Sequence, residues 1–249
     1  MKQARSLIVI GIPLIQTLLL SIGVIFESYY ILCAIAAFVV SDVLLYFLFP
    51  SSIARMTGAA LSAPPILLFI STAGSLMFVD NGFAIVSVIA GNAIFVGTYL
   101  HALPSRLAGL SKDATTTSPI FIGAFGMLLI ALVFMLSLLL FALLYFLDIP
   151  IWMTMIPYIA ISLSVVSIYF HERGLQWSTI LILISVAAVC LIEIIYSLTW
   201  LPLSYLPMTA FVAIASIVLF DALLDYRMKY TLPAAVIMLV LIMVASIWR

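Results

Sequence analysis

Residues 119–147 read PIFIGAFGMLLIALVFMLSLLLFALLYFL and contain no charged side chain. A transmembrane helix needs about 20 consecutive, mostly apolar residues, so this run is long enough to cross a bilayer. It exceeds the usual thickness of the hydrocarbon core, and the helix must therefore tilt, kink or extend beyond it. The stretch predicts a membrane-spanning helix that is surrounded by lipid and not by water.

The composition of the whole chain supports the same class of protein. Hydrophobic residues make up 67% of the 249 positions, charged residues 7%, and the mean hydropathy is +1.42. A soluble domain carries about 25% charged residues because it must present a wetted surface. The formal net charge is zero, so no overall field favours nucleic acid as a partner. We therefore expect the lipid bilayer as the main surroundings and no nucleic acid.

The apolar runs predict an all-α bundle of about nine transmembrane helices, treated as a single transmembrane domain over residues 1–249. Charges, prolines and turn dipeptides separate the runs. The predicted spans are 6–26, 29–49, 63–79, 83–103, 119–147, 151–170, 175–200, 207–224 and 232–248. The third run is short enough to raise the alternative of a re-entrant segment.

The basic residues predict the orientation of these spans. With the N-terminus in the cytoplasm and the C-terminus outside, eight of the nine Lys and Arg residues fall on the inner side. Those eight are Lys2, Arg5, Arg55, Arg106, Lys112, Arg173, Arg227 and Lys229. Short cytoplasmic loops carry an excess of Lys and Arg in multi-pass proteins. We therefore predict a multi-pass protein of the cell membrane.

Prolines and turn residues predict where helices begin. Ser118 precedes Pro119, and Ser62 precedes the pair Pro64 and Pro65, which is typical of a capped helix start with proline in the first turn. Asp148 with Pro150 is interpreted in the same way. Residues 104–118 are the longest predicted inner loop.

Three acidic residues fall inside predicted spans and are the first candidates for function. Asp42 lies in the inner half of the second span, Glu193 in the outer half of the seventh, and Asp221 near the inner end of the eighth. An acid at the centre of a membrane helix costs about 2.5–3.5 kcal/mol on insertion scales. Each could bind a solute, relay a proton or satisfy a contact between helices.

A second group of candidates lies at the predicted cytoplasmic face. Asp221 and Asp225 are four residues apart on one helical face, and Arg227 and Lys229 follow them. Paired carboxylates can hold Mg²⁺ against a diphosphate whose oxygens bind basic side chains. His171 and Arg173 lie in a turn on the same side, where the alternative is a hydrated turn.

The nine spans and the aspartates at one membrane face resemble, in part, intramembrane prenyltransferases of the UbiA type. That resemblance implies an enzyme acting on an isoprenoid substrate. The family also carries an N-D-x-x-D-type motif in an early loop, and this chain has no counterpart to it.

Other polar groups are predicted to join packed helices or to line a path. These are Gln16, Asn92, Ser162, Ser164 and Ser167. Residues 34–45 (AIAAFVVSDVLL) and 213–224 (AIASIVLFDALL) share seven of twelve positions, which raises the alternatives of an internal repeat and of chance similarity.

The sequence leaves three hypotheses for function. The leading one is transport of a small solute, ion or lipid-like molecule through Asp42, Glu193 and Asp221. The second is a membrane-embedded enzyme acting on a lipid-linked or isoprenoid substrate at the cytoplasmic face. The third is a structural or assembly subunit, with a membrane protein or a second copy as partner. No motif indicates a cofactor or a metal site.

Overall fold

The structure is a computed structural model that describes residues 2–48, 55–110, 117–200 and 204–224. Within these ranges it is all-helical, as predicted. The helices are α1 (Lys2–Ile25), α2 (Tyr30–Leu48), α3 (Arg55–Leu76), α4 (Gly82–Leu110), α5 (Pro119–Leu147), α6 (Ile151–Glu172), α7 (Trp177–Leu198) and α8 (Tyr205–Leu224). A short 3-10 turn over Glu27–Tyr29 joins α1 to α2.

All eight described helices are long and apolar enough to cross a membrane. The chain is therefore a multi-pass integral membrane protein, and the predicted count of about nine spans is close. The third run forms a helix of 22 residues, so its length suits a full span rather than a re-entrant segment. The predicted ninth span, 232–248, lies outside the described residues.

Helix α3 begins at Arg55, eight residues before the predicted start at 63. Ser62 therefore does not cap it, and Pro64 and Pro65 lie inside the helix. A proline lacks the N–H that would bond to the carbonyl four residues earlier, which for Pro65 is the carbonyl of Leu61. The hydroxyl of Tyr99 on α4 donates to that oxygen at 2.7 Å instead. A neighbouring helix thus replaces the missing backbone bond, as membrane proteins allow.

Helix α4 also exceeds its prediction, because it continues past Pro104 to Leu110. Seven residues of the predicted inner loop 104–118 are therefore helical. By contrast, α5 begins at Pro119 and ends at Leu147, as its uninterrupted apolar run predicted. The start of α6 differs in detail, because Pro150 occupies the N-cap position and no side chain caps it. Asp148 instead has a positive φ of 50° in the preceding turn.

Contacts divide the chain into two compact units, Met1–Ala131 and Leu132–Arg249. In the first unit, α1 packs against α2 and α4, and α3 packs against α4 and α2. Its core contains Leu20, Ala37, Phe69, Ala73, Leu76 and Ile89. In the second unit, α7 packs against both α6 and α8.

The turn between α1 and α2 brings these helices very close together. A methyl group on Gly23 would lie 3.1 Å from Cβ of Cys33 and 3.2 Å from the ring of Tyr30. Glycine at this position therefore sets the approach of the two helices. The Tyr30 hydroxyl then donates to the carbonyl oxygen of Ala73, which ties α2 to α3.

Candidate functional site

Asp42 lies on an exposed face of α2 and not in the core of its unit. Its neighbours on that face, Val39, Val43 and Tyr46, are 50%, 49% and 78% exposed. The carboxylate has no hydrogen-bond or ion-pair partner among the described residues. The adjacent Ser41 is buried and faces α1, where its hydroxyl accepts a hydrogen bond from Gln16. Among the described residues, Asp42 is thus a lone acid in an apolar strip.

Glu193 occupies an equivalent setting on α7. It is exposed, and so are Val189, Ile192 and Tyr196, at 57%, 42% and 52%. Tyr196 and Ser197 share this exposed face, but neither hydrogen-bonds to the Glu193 carboxylate. Within the described part of the second unit, this carboxylate has no polar partner either.

Both acids lie close to the C-terminal ends of their helices. Asp42 precedes the end of α2 by six residues and Glu193 precedes the end of α7 by five, or roughly 8–9 Å at 1.5 Å per residue. Helical side chains tilt toward the N-terminus of their helix. We therefore expect these carboxylates to be directed away from the nearer end of each helix and toward its middle.

Asp221 differs from the other two acids. It is half-buried on α8 and has an interaction partner of its own. Glu193 lies near the short connection between α7 and α8, whereas Asp221 lies sixteen residues into α8, roughly 24 Å along its axis. The structure therefore does not bring these two acids together, and Asp42 belongs to the other unit.

The turn after α6 has a well-defined geometry. Gly174 has a φ of +89°, its N–H donates to the carbonyl of His171, and the N–H of Leu175 donates to the carbonyl of Phe170. These bonds form a Schellman motif, which needs a residue in the left-handed region. His171 stacks on Trp177 with ring centroids 4.8 Å apart, and the Arg173 guanidinium lies 5.4 Å from the Tyr169 ring.

These contacts place His171 and Arg173 in an exposed turn held by aromatic rings. Glu172 between them is buried and engaged in an interaction. The other members of the predicted cytoplasmic cluster, Asp225, Arg227 and Lys229, lie outside the described residues. Within the described residues no three His, Cys, Asp or Glu side chains form a group that could hold a metal ion.

A chain of buried polar side chains connects all four of the first helices. Asn92 on α4 donates to the Gln16 side-chain oxygen at 3.1 Å, and Gln16 on α1 donates to the Ser41 hydroxyl on α2 at 3.1 Å. Thr72 on α3 donates to the Asn92 oxygen at 3.4 Å. The predicted bridging role of Gln16 and Asn92 is confirmed. For Ser41 and Thr72 this role was not predicted from the sequence. The available signal for both was a hydroxyl side chain within an apolar run.

The second unit contains a buried hydroxyl cluster. The Tyr158 hydroxyl on α6 lies 3.1 Å from the Ser137 hydroxyl on α5 and 3.0 Å from the Ser216 hydroxyl on α8. Ser164 and Ser167 each donate to a carbonyl of their own helix, so their predicted bridging role stays a prediction. Ser162, one turn after Tyr158, is fully buried.

No family model matches the chain, and neither a curated protein nor a solved structure is significantly similar to it. The fold and the placement of its polar groups therefore carry the functional argument alone.

Proposed function

We propose that this protein is a subunit of a membrane complex, and that the exposed faces of α2 and α7 bind transmembrane helices of a partner. One observation carries the proposal. Asp42 and Glu193 are lone acids on apolar, outward-facing strips of membrane helices, without a partner among the described residues. At the centre of a membrane helix a carboxylate in lipid costs about 2.5–3.5 kcal/mol, which is an upper figure for these two acids, and a partner helix that supplies a donor removes most of this cost.

The direction of the two side chains adds to this argument. A long basic side chain near a helix end can reach the interface, but these short carboxylates are expected to point toward the middle of their spans. Hydration from the nearer surface is therefore poor. A neighbouring helix is the remaining source of hydrogen bonds, because polar side chains join helices within membranes.

The partner helix is expected to carry a Lys or Arg side chain at the depth of the acid. In this chain, all nine Lys and Arg residues lie at the ends of the predicted spans or between them. A second copy would therefore offer basic side chains only toward the ends of its helices, as Arg106 does on α4. A different membrane protein with a basic residue in its span matches the acids better.

Site-specific photocrosslinking tests this proposal in native membranes. A photoreactive residue at Val43, beside Asp42, is expected to capture one transmembrane partner, and Asp42→Leu is expected to abolish the crosslink. A photoreactive residue at the exposed Met127 on α5 is the matched control. Reversing both charges, with Asp42→Lys here and an acid in place of the partner's basic residue, is expected to restore capture. Crosslinks only to a second copy, or capture that survives Asp42→Leu, would contradict the proposal.

The stability of the isolated chain provides a second test. Asp42→Leu and Glu193→Leu are expected to leave the purified protein as stable as the wild type or more stable, because neither acid has a partner among the described residues of its own unit. Asp42→Asn tests whether the charge or only the hydrogen bond matters to the complex. A loss of more than about 1 kcal/mol on Asp42→Leu would indicate an internal role instead.

Transport of a small solute, ion or lipid-like molecule is the second candidate. It is supported by the buried chain of Gln16, Ser41, Asn92 and Thr72, which places hydrogen-bonding groups inside the membrane. The test is flux into proteoliposomes that contain only this chain. The transport hypothesis expects flux that Asp42→Asn, Glu193→Gln or Asp221→Asn reduces, whereas the subunit proposal expects none.

A further inference from the structure

A lateral groove lies between α1 and α4 of the first unit. Its volume is about 380 Å³, within the roughly 300–1,000 Å³ typical of small-molecule sites. The α1 side provides Val9, Ile10, Pro13, Leu14 and Thr17, and the α4 side provides Ala93, Gly97 and His101. Ile10 and Leu14 are exposed along its rim at 64% and 67%. The groove is therefore open to the membrane and not an enclosed cavity.

Small residues on α4 create the space. Ala93 and Gly97 are one turn apart, and a methyl group on Gly97 would lie 3.6 Å from Cγ of Pro13. The Thr17 hydroxyl donates to the carbonyl of Pro13 at 2.8 Å, so it is turned back onto its own helix. The walls are thus apolar, and the His101 ring is the polar group at the margin.

The two helices that form the groove run antiparallel. Gln16 hydrogen-bonds to Asn92, whereas Pro13, one turn earlier on α1, approaches Gly97, one turn later on α4. His101 therefore lies at the end of the groove nearest the N-terminus of α1. Arg5 precedes Val9 by four residues in α1 and so lies about one turn closer to that end of the helix.

This end of the groove is basic in sequence. Lys2, Arg5 and His101 lie there, and neither α1 nor α4 contains an acidic residue. It is also the end predicted to face the cytoplasm. Basic pockets between membrane helices on the cytoplasmic side bind anionic lipid headgroups, at about 1 kcal/mol for each Lys or Arg near the surface.

We propose that the groove binds an anionic phospholipid, with one acyl chain between α1 and α4 and the phosphate at the end marked by Arg5 and His101. An apolar groove in the membrane is not filled by water, because the hydrocarbon core contains none. An acyl chain fills it instead, and the basic end selects the headgroup. The inference does not depend on the proposed role as a subunit.

Native mass spectrometry of the full chain in mild detergent tests lipid retention. Phosphatidylglycerol is expected to be retained over phosphatidylcholine, and Arg5→Gln is expected to reduce this preference by about fivefold, the equivalent of 1 kcal/mol for a basic residue. His101→Gln is expected to reduce it less. Inorganic phosphate is the competitor that separates the two sources of phosphate, and it is expected to displace no lipid.

The groove itself is tested by filling it. Gly97→Leu is expected to abolish retention of both lipids, whereas Gly123→Leu on α5, where a side chain meets open space, is the matched control. Ala93→Leu provides a second groove variant if Gly97→Leu does not fold. Equal retention of the two lipids by the wild type would overturn the headgroup assignment. Unchanged retention in a folded groove variant, or displacement by inorganic phosphate, would overturn the acyl-chain site.

Discussion

The Asn92 side chain on α4 donates a hydrogen bond to the side-chain oxygen of Gln16 on α1, with 3.1 Å between the two atoms. Both residues are 2% exposed, and they lie 76 positions apart in the sequence. Because water does not reach this region, either group loses more when its partner is removed than the bond contributes when it is intact.

Gln16→Leu is therefore expected to destabilise the protein by about 1–3 kcal/mol, the cost of an unpaired buried polar group. The double variant Gln16→Leu/Asn92→Leu is expected to be more stable than Gln16→Leu alone, since it leaves neither amide unpaired. Reversible unfolding in mixed micelles measures both. Thr98→Val on the exposed face of α4 is the control, and an additive double variant would contradict the pairing.

Gly23→Ala is expected to destabilise the protein by about 1–3 kcal/mol, the usual cost of overpacking a filled core. The added methyl group would lie 3.1 Å from Cβ of Cys33, so α1 and α2 must move apart. Gly123→Ala meets no atom within 4 Å and is expected to be neutral or slightly stabilising. The same unfolding assay compares the two alanines, and equal effects would show that the close approach at Gly23 is not tight.

Tyr158→Phe is expected to cost about 0.5–1.5 kcal/mol, toward the lower end of that range. It removes the hydroxyl shared with Ser137 and Ser216, but both serines keep their bonds to Val133 and Val212 on their own helices. Tyr196→Phe on the exposed face of α7 is the control and is expected to change nothing. A cost above about 3 kcal/mol would indicate that the Tyr158 hydroxyl stabilises the second unit through more contacts than those with these two serines.

Cysteine labelling tests the predicted orientation. In a variant with Cys33→Ala and Cys190→Ala, Asp80→Cys is expected to react with an impermeant maleimide in intact cells. Gln176→Cys is expected to react only after permeabilisation, because α4, α5 and α6 separate the two positions. Both sites are exposed. The opposite pattern would reverse the orientation, and labelling from one side only would change the number of spans.

The hydrophobic runs predicted which segments form helices better than they predicted where each helix begins and ends. The run 119–147 had no internal interruption, and α5 matches it. The predicted start of α3 at residue 63 was wrong, because Ser62 with Pro64 and Pro65 has the sequence pattern of a helix start although these residues lie inside the helix. The compensating bond comes from Tyr99, which no local pattern connects to Leu61.

The polar groups show the same division between local and non-local information. The spacing of Glu193, Tyr196 and Ser197 corresponds to one helical face, and all three are exposed. It did not indicate whether that face was buried, because burial depends on which helices pack together. For the same reason the acids were visible in the sequence, while the chain from Gln16 to Thr72 appeared only once four helices were assembled.

The close turn between α1 and α2 has a consequence for biosynthesis. Only Phe26 and the 3-10 turn over Glu27–Tyr29 separate the two helices, so they can leave the ribosome as one hairpin. The bond from Gln16 to Ser41 joins residues 25 positions apart and can form as soon as this hairpin exists. Asn92 is synthesised later, and we expect it to meet a Gln16 that its own hairpin already holds in place. We therefore expect α1 and α2 to form a template on which α3 and α4 assemble.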